Sequence, residues 1–321
     1  MKHMNLSVRI GRLQLPNPVL VASGTFGYGV EYAELVDLNQ LGAVVVKGIC
    51  LEPVPGNPPP RTVEVTGGLI NAIGLQGPGF DGFMAKYWPF LRTLKIPVII
   101  NIWGKTVDEY AEIARRFDSV EGVGALELNV SCPNIKAGGA QFGTDIKALA
   151  RVVAACRAAT RLPLITKLSP NVVNIAPYAA AAEEAGSDAL SIMNSYPAMA
   201  IDIEARRPKL GNITGGLTGP CIKPIALKLV WDAASAVKIP IIGIGGIQTA
   251  ADALEFIMAG ATAVAIGTAN FYEPQTALRV IAGIRQYMHE HGIQDIRELV
   301  GAARQVANST PAPPTRSAPH S

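Results

Sequence analysis

Short runs of apolar residues recur along the chain, and helical or loop-like segments separate them. Each run is four to seven residues long and rich in Val, Ile and Leu. Continuous apolar runs of this length are typical of parallel strands that are buried on both faces. We predict eight such strands, at Pro18–Ser23, Gly42–Lys47, Pro97–Asn101, Gly124–Asn129, Pro163–Lys167, Asp188–Asn194, Pro240–Gly243 and Ala263–Gly267.

The residues at the starts of these strands alternate in kind. The first, third, fifth and seventh strands begin with proline, which loses no ladder hydrogen bond at that position. The other four follow a glycine, which we interpret as the end of the preceding helix. Eight strands in a two-strand alternation, with helices between them, predict an α/β fold of the (β/α)8 TIM barrel type. A doubly wound sheet is the alternative.

The segments around the strands complete the prediction. Helical periodicity indicates three helices, at Asp108–Asp118, Asp145–Thr160 and Lys223–Val237. Thr144-Asp145 and Asn174 are suited to cap helix starts. The N-terminal residues alternate apolar and polar, which predicts a small β-hairpin before the barrel.

Two long segments interrupt the repeat, Leu51–Pro78, which is rich in proline and glycine, and the irregular Asn194–Pro220. Insertions of this length at the C-terminal face of a barrel usually build the site rather than the scaffold. We expect residues 1–306 to form a single domain. Residues 307–321 are rich in Pro, Ser and Thr and are expected to be a disordered tail.

Composition narrows the function classes. The 321 residues carry a net charge of +3 without a basic run, so a nucleic-acid partner is not expected. No apolar run reaches the roughly 18 residues of a membrane span, and the N-terminus lacks a secretory apolar core. The four cysteines, with no C-x-x-C pair, indicate neither zinc nor an iron–sulfur cluster. These features predict a cytoplasmic protein with free thiols.

Polar residues and glycines follow the predicted strands at the end where a barrel of this type carries its site. Two lysines and three asparagines in the same topological position favour a functional set. The strand ends, in chain order, are Ser23, Lys47, Asn101, Asn129, Lys167, Asn194, Gly245-Gly246 and Gly267-Thr268.

The last two strand ends predict a phosphate site. The motifs "GIGGI" (Gly243–Ile247) and "AIGTA" (Ala265–Ala269) each precede a helix, where backbone N–H groups can approach an anion. Neither motif matches the dinucleotide pattern G-x-G-x-x-G. Lys167 is placed to stabilise negative charge on the pyrimidine ring of a reduced flavin. The alternative for each lysine is an ion pair, but few acids lie at the strand ends.

One cysteine lies at the end of the fourth predicted strand, in "ELNVSCPN" (Glu127–Asn134). From its surroundings alone, Cys132 could be a nucleophile, a metal ligand, a proton carrier or a small apolar residue in a turn. Its ordinary pKa of about 8.5 suits a base after a modest downward shift. We interpret the other three cysteines as buried and inert: Cys50, Cys156 and Cys221.

Several motifs, taken in order, resemble class 1 dihydroorotate dehydrogenase over residues 6–299. They are "NAIGLQGPG" (Asn71–Gly79), "NVSCPN" (Asn129–Asn134), "ITKLSPN" (Ile165–Asn171), "GGLTGP" (Gly215–Pro220), "GIGGI" and "IGTA". The segment "NIKAGGAQFGTD" (Asn134–Asp145) is most similar to class 1B, the NAD-linked catalytic subunit.

The resemblance implies FMN-dependent oxidation of dihydroorotate to orotate in pyrimidine biosynthesis, with Cys132 as catalytic base. One FMN per chain would contact Ser23, Lys47, Gly48, Asn101, Asn129, Lys167, Met193, Gly219, Gly245, Gly246, Gly267 and Thr268. The substrate would contact Lys47, Asn71, Ala72, Ile73, Gly74, Leu75, Asn129, Asn194 and Ser195.

Class 1B also implies a partner subunit that carries FAD and a [2Fe–2S] cluster and passes electrons to NAD, in a heterotetramer around a homodimer of catalytic subunits. A class 1A enzyme that reduces fumarate, or a related FMN barrel reductase, is the alternative. Gly77 and Tyr196-Pro197 depart from the family pattern, which leaves another dihydropyrimidine open as substrate.

Overall fold

The structure, a computed structural model, describes residues 4–131 and 139–309. Eight parallel strands, adjacent in chain order, form a closed barrel, because the eighth strand pairs with the first through Val264↔Val19. The barrel strands are Val19–Val21, Ala43–Ile49, Val98–Ile102, Ala125–Asn129, Leu164–Lys167, Ala189–Ile192, Ile241–Ile244 and Ala263–Ile266. The predicted (β/α)8 barrel is confirmed, and closure rules out the doubly wound alternative.

The glycines before the even-numbered strands serve two purposes. Gly260 ends the helix Ala250–Ala259 with φ of +123°, which fits the predicted role at a helix end. Gly42 does not share that role. A Cβ at Gly42 would lie 2.3 Å from the carbonyl oxygen of Asn17, so close approach of two backbone segments requires glycine there.

Helices surround the barrel, and the three predicted ones are confirmed to within one residue at either end. The helix Val107–Asp118 buries Tyr110, Ile113 and Phe117, whose spacing forms one apolar stripe. The predicted caps also accept hydrogen bonds, from Ala148 N to Asp145 and from Ala176 N to Asn174. The helices are Gly79–Lys86, Trp88–Leu91, Val107–Asp118, Gly139–Thr144, Ile146–Ala159, Ala176–Glu184, Lys223–Ala236, Ala250–Ala259, Ala269–Tyr272, Thr276–Glu290 and Ala302–Ser309, with 3-10 turns at Leu38–Gln40, Pro220–Ile222 and Ile296–Leu299.

The two insertions are ordered together, which corrects the expectation of irregular segments. They form one four-stranded antiparallel sheet, here called the cap sheet, in which Gly216↔Asn71 and Leu217↔Ile70 join the second insertion to the first. In spatial order its strands are Tyr196–Ala198, Gly215–Thr218, Gly68–Asn71 and Thr62–Val65. A further hairpin pairs Ile201–Asp202 with Arg207–Pro208.

The N-terminal hairpin is confirmed and lies at the opposite end of the barrel. Its strands Val8–Ile10 and Leu13–Leu15 pair antiparallel. Gly11 packs against Asp188, and Leu13 packs against Gly124, at the starts of the sixth and fourth barrel strands. The last helix, Ala302–Ser309, extends three residues past the predicted domain end at residue 306. The rest of the predicted tail lies outside the described residues.

Candidate active site

A cavity of about 330 Å³ opens at the C-terminal ends of the barrel strands. All eight strands and the cap sheet contribute to its wall, which is the position where barrels of this type carry their sites. The residues that line it are Ala22, Ser23, Gly24, Thr25, Lys47, Gly48, Thr62, Leu69, Asn71, Ile73, Gly74, Leu75, Gln76, Asn101, Asn129, Lys167, Met193, Asn194, Ser195, Thr218, Gly219, Ile222, Ile244, Gly245, Gly246, Gly267, Thr268 and Phe271.

The predicted cofactor residues, from Ser23 to Thr268, all line this cavity. The predicted substrate residues line it as well, apart from Ala72. Ala72 is fully buried in a cluster with Ile70 and Leu210, and it does not line the cavity. Cys132 lies outside the described residues.

Lys167 crosses the mouth of the barrel from the fifth strand to the first. Its Nζ donates to the Oγ of Ser23 at 3.3 Å and lies 4.0 Å from Oε1 of Glu127. The side chain is only 6% exposed. The ion pair that the sequence left as the alternative is therefore present at Lys167, and its acid lies inside the strand rather than at a strand end. A buried cation is stable only when it is paired and hydrogen-bonded, and Glu127 provides that pairing.

Three asparagines from different strands form a chain of side-chain amides along one wall. Asn129 Nδ2 donates to Asn101 Oδ1, and Asn194 Nδ2 donates to Asn129 Oδ1, each at 3.3 Å. Asn194 Nδ2 also donates to Ser131 Oγ at 3.0 Å, and its Oδ1 accepts from Ser195 N at 2.8 Å. The strand ends that the sequence grouped together are thus in direct contact.

The end of the fourth strand is held from outside the barrel. The hydroxyl of Tyr110 is buried and donates to the carbonyl oxygen of Asn129 at 2.8 Å. The helix Gly139–Thr144 packs closely as well, since a Cβ at Gly143 would lie 2.5 Å from the carbonyl oxygen of Val130. These contacts anchor the backbone directly before Cys132.

The glycines after the seventh and eighth strands leave backbone open to the cavity. Gly245 and Gly246 have φ of +135° and +74°, a region that favours glycine. A Cβ at Gly246 would lie 2.9 Å from the carbonyl oxygen of Gly219. At Gly267 a Cβ would meet nothing closer than 3.8 Å, so packing within the chain does not require glycine there. Room for a ligand close to the backbone explains that glycine better.

Lys47 stands on the second strand and has a different electrostatic setting from Lys167. Burial and the nearby positive charge of Arg61 lower the pKa of the Lys47 amine from its ordinary 10.5, and Glu31 opposes the shift. Both causes disfavour the charged amine. An anionic group in the cavity would reverse them, so Lys47 is suited to bind a carboxylate.

The other cysteines differ in their exposure. Burial raises the pKa of the Cys50 thiol to about 11 and that of Cys156 to about 12, so both stay protonated near neutral pH. Cys156 is fully buried, which confirms its place in the core. Cys221 is exposed, so the expectation that it is buried is wrong.

Two broader expectations can be compared with the described residues. Within 4–131 and 139–309, no helix is long and apolar enough to cross a membrane. The same part of the chain holds no group of three or more His, Cys, Asp or Glu side chains that could bind a metal ion.

Sequence reasoning missed several residues of the site. Glu127 is the most important, and its signal was a single acid inside a buried apolar strand, where a charge needs a partner. Thr62 and Thr218 line the cavity from the cap sheet, and Phe271 lines it from the helix after the eighth strand. Nothing in the sequence marks Thr62 and Thr218 for the cavity, because their positions depend on how the insertions fold back.

Comparison with known proteins identifies the family of the chain. Residues 5–288 match the family model described as dihydroorotate dehydrogenase. The chain is 58% identical over 297 residues to "Dihydroorotate dehydrogenase B (NAD(+)), catalytic subunit" of Trichlorobacter lovleyi, which covers 92% of this chain and 98% of the relative. It is 55% identical over 302 residues to the protein of the same name from Geobacter sulfurreducens, covering 94% and 99%.

A solved structure supports the fold. The crystal structure of DHODH from Eimeria tenella in complex with ferulenol superposes with a TM-score of 0.79 at 25% identity, covering 94% of this chain and 89% of that chain. The predicted resemblance, including its NAD-linked type, is confirmed by the sequence relatives. With the family model and these relatives in agreement, the chain belongs to the dihydroorotate dehydrogenase family.

Proposed function

We propose that this chain is the FMN-dependent catalytic subunit of an NAD-linked dihydroorotate dehydrogenase, which oxidises dihydroorotate to orotate in de novo pyrimidine biosynthesis. The family and the names of the relatives support the activity. The observation that carries the proposal is a single cavity lined by the buried Lys167 and by the asparagine chain. The same cavity is lined by Gly219, Gly245, Gly246 and Gly267, here called the glycine cradle.

The residues of the cavity fit FMN. The cradle supplies backbone N–H groups and a positive-φ backbone for a phosphate, and Lys167 supplies a cation for the pyrimidine edge of the ring. The donors and acceptors of the asparagine chain suit the polar edge of the same ring. We assign the cofactor to Ser23, Lys47, Gly48, Asn101, Asn129, Lys167, Met193, Gly219, Gly245, Gly246, Gly267 and Thr268.

The substrate half of the cavity lies between the barrel and the cap sheet. Dihydroorotate is an anion with an amide-rich ring, so it suits the Lys47 amine and the amides of Asn71, Asn129 and Asn194. Leu75 has a positive φ of 52°, and strain of this kind is concentrated at functional sites. We assign the substrate to Lys47, Asn71, Ile73, Gly74, Leu75, Asn129, Asn194 and Ser195. Ala72 is left out, because its backbone N–H and carbonyl already bond to Arg61 and Asn57.

The two departures from the family pattern lie beside the cavity wall rather than in it. Neither Gly77 nor the pair Tyr196-Pro197 lines the cavity. A Cβ at Gly77 would lie 3.3 Å from the hydroxyl of Tyr28 and from the carbonyl oxygen of Gly48, so glycine suits the packing there. These positions therefore give no reason to assign a different dihydropyrimidine.

Oxidation of dihydroorotate removes a proton from one ring carbon and a hydride from its neighbour. Bound FMN supplies the hydride acceptor. We assign the proton to Cys132, whose thiolate would take it as general base. The Asn129 carbonyl, which accepts from Tyr110, and the Ser131 side chain, which accepts from Asn194, would hold the chain directly before Cys132.

Prediction for Cys132: replacement by alanine should lower turnover by roughly 10²–10⁴, the usual contribution of a general base, while FMN stays bound. Steady-state kinetics and the flavin absorbance of the purified variant measure the two effects. Cys221→Ser, at an exposed cysteine, is the matched control and should keep its activity. Turnover of Cys132→Ala near that of wild type would rule the base out.

We further propose a cytoplasmic assembly in which a homodimer of this chain carries two partner subunits with FAD and a [2Fe–2S] cluster. The relatives are named catalytic subunits, which implies a further subunit. That subunit would carry electrons from FMN to NAD. Fumarate, which class 1A enzymes reduce without a partner subunit, is the competing electron acceptor.

The test of the function is an anaerobic titration of the purified chain with dihydroorotate. The protein should be yellow, with about one FMN per chain, and its flavin absorbance should bleach as orotate forms. Dihydrouracil, which lacks the carboxylate, is the control substrate and should bleach the flavin far more slowly. A flavin that stays oxidised with dihydroorotate but bleaches with dihydrouracil would favour the related reductase.

A further inference from the structure

The interior of the barrel below the cavity holds a buried acid that the proposed chemistry does not use. The Glu127 side chain is 2% exposed and lies 4.0 Å from the 6% exposed side chain of Lys167. Among the described residues, this is the ion pair in which both side chains are below 10% exposed. Ser191 also donates to Glu127 Oε2 at 2.7 Å from the sixth strand, so this contact crosses the barrel interior.

The carboxylate of Glu127 stands at one end of the asparagine chain. An ionised carboxylate can only accept hydrogen bonds, so the group that faces it must be a donor. Asn101 turns its Nδ2 to Glu127 Oε1 at 2.6 Å. The Oδ1 of Asn101 therefore faces Asn129, and the same order continues from Asn129 to Asn194. One acceptor-only group sets the direction of three amides in the cavity wall.

We propose that Glu127 is a positioning residue of this site: its buried carboxylate sets the direction of the Asn101, Asn129 and Asn194 amides and moderates the positive charge that Lys167 presents to the bound cofactor. The inference rests on the proposed binding of FMN.

The electrostatic part has a definite sign. The pyrimidine ring of a flavin gains negative charge on reduction, and a nearby cation favours that reduced form. The negative charge of Glu127 offsets part of the charge of Lys167. Removing the Glu127 charge while keeping its shape should therefore make the bound FMN easier to reduce.

The test is the midpoint potential of bound FMN in Glu127→Gln, measured by anaerobic dye titration. Glutamine keeps an oxygen for Asn101 and removes the charge. At a fixed ambient potential the ratio of reduced to oxidised flavin should rise about ten-fold, which is ~30 mV for a two-electron couple. Glu121→Gln, the same change at an exposed position, is the control and should leave the potential unchanged.

The variant Glu127→Asp separates the effect of the carboxylate charge from the effect of side-chain length. It keeps the negative charge but withdraws the carboxylate by one methylene from Asn101. The midpoint potential of FMN should stay near that of wild type. KM for dihydroorotate should rise about ten-fold, because the asparagine chain loses the hydrogen bond from Asn101 to the carboxylate. A rise in KM without a change of potential is a result that a generally loosened core would not produce.

Three results would overturn the proposal. The first is a potential in Glu127→Gln equal to that of wild type. The second is an equal shift in the Gln and Asp variants, which would indicate a structural role. The third, which applies even if Glu127→Gln does not fold, is an unchanged KM in Glu127→Asp. If instead the wild-type protein binds no flavin, the proposed function fails before Glu127 is tested.

Discussion

We propose that cofactor binding depends most on Lys167. Its side chain is buried and crosses the barrel mouth. Among the described residues, its amine donates a hydrogen bond to Ser23 and pairs with the carboxylate of Glu127. A cation in this setting is held ready for a ligand with a negative or polar edge. The sequence correctly predicted that Lys167 lies at a strand end, but only the folded barrel shows that Glu127 is its acidic partner.

Prediction for Lys167: replacement by alanine should weaken FMN binding about 10- to 100-fold, equivalent to the ~1.5–3 kcal/mol of a hydrogen bond to a charged group. The variant should also lose roughly 3–5 kcal/mol of unfolding free energy, because Glu127 remains buried without its partner. Flavin content and urea unfolding measure the two losses.

The matched control is Lys228→Ala, which removes an exposed lysine from an ion pair with Asp232. An exposed pair contributes at most about 1 kcal/mol, so this variant should keep both its flavin and its stability. A Lys167→Ala protein that is fully flavinated and active would contradict the role of Lys167.

Prediction for Lys47: the affinity for orotate should fall at alkaline pH. The pKa of the free Lys47 amine is lowered from 10.5 by burial and by Arg61, and an anionic ligand raises it again. The charged amine binds the anion, so affinity is full below the lowered pKa and declines as pH rises through it. Titrations of orotate against flavin absorbance, at neutral and alkaline pH, measure this decline.

Lys47→Met is the comparison for that experiment. It should bind orotate more weakly at neutral pH and should lack the part of the pH dependence that belongs to the lysine. Any dependence that remains in Lys47→Met belongs to the ligand or to other groups. Identical pH profiles for the two proteins would remove Lys47 from the substrate site.

At the level of elements, we assign the cofactor end of the cavity to the glycine loops after the seventh and eighth strands. Gly246 combines a positive φ with close contact to Gly219, whereas Gly267 has free space around it. Both features keep side chains away from a ligand, one by backbone conformation and the other by leaving room.

Prediction for Gly246: replacement by alanine should abolish FMN binding, since its Cβ would lie 2.8 Å from the Cβ of Lys223 and 2.9 Å from Gly219 O. Gly292→Ala is the control, because it has a similar φ of +68° and nothing within 4 Å. Both variants should lose roughly 1–2 kcal/mol of stability from left-handed strain. Only Gly246→Ala should purify without flavin. Equal flavin contents in the two variants would contradict the assignment of Gly246 to FMN binding.

The cap sheet is the other element that makes the site. Each insertion contributes two of its strands, Thr62–Val65 and Gly68–Asn71 from the first and Tyr196–Ala198 and Gly215–Thr218 from the second. Pairing of Gly216 with Asn71 turns them into one sheet over the barrel mouth. Asn71 then reaches the cavity wall with its Nδ2 donating to Gly216 O at 3.2 Å.

At the scale of the whole molecule, the barrel separates scaffold from site. The N-terminal hairpin lies at one end, and the cavity with the cap sheet lies at the other. Electrons must leave FMN for an acceptor that this chain does not bind by any recognised dinucleotide motif. We therefore propose that the partner subunit binds the acceptor.

Prediction for the assembly: the purified chain with dihydroorotate should reduce an artificial dye but form no NADH. Adding the FAD and iron–sulfur subunit should restore NADH formation, which is followed by absorbance. Fumarate is the control acceptor and should support little turnover. NADH formation by this chain alone, or rapid fumarate reduction, would contradict the NAD-linked assignment.

The sequence by itself determined the barrel and the positions of most site residues. Buried parallel strands require continuous apolar runs, and their C-terminal ends lie at one edge, so Ser23, Lys47, Asn101 and Lys167 could be grouped from local pattern alone. Short-range signals such as the caps at Asp145 and Asn174 were readable for the same reason.

Only the tertiary structure decided which of these residues touch and what charges they meet. The pairing of Glu127 with Lys167, the direction of the amide chain and the joining of the two insertions all link residues far apart in the chain. Periodicity reports which face of an element is buried, but it carries no information about the partner across the barrel. For that physical reason the contacts of Glu127 with Lys167 and Asn101 could be identified only in the closed barrel.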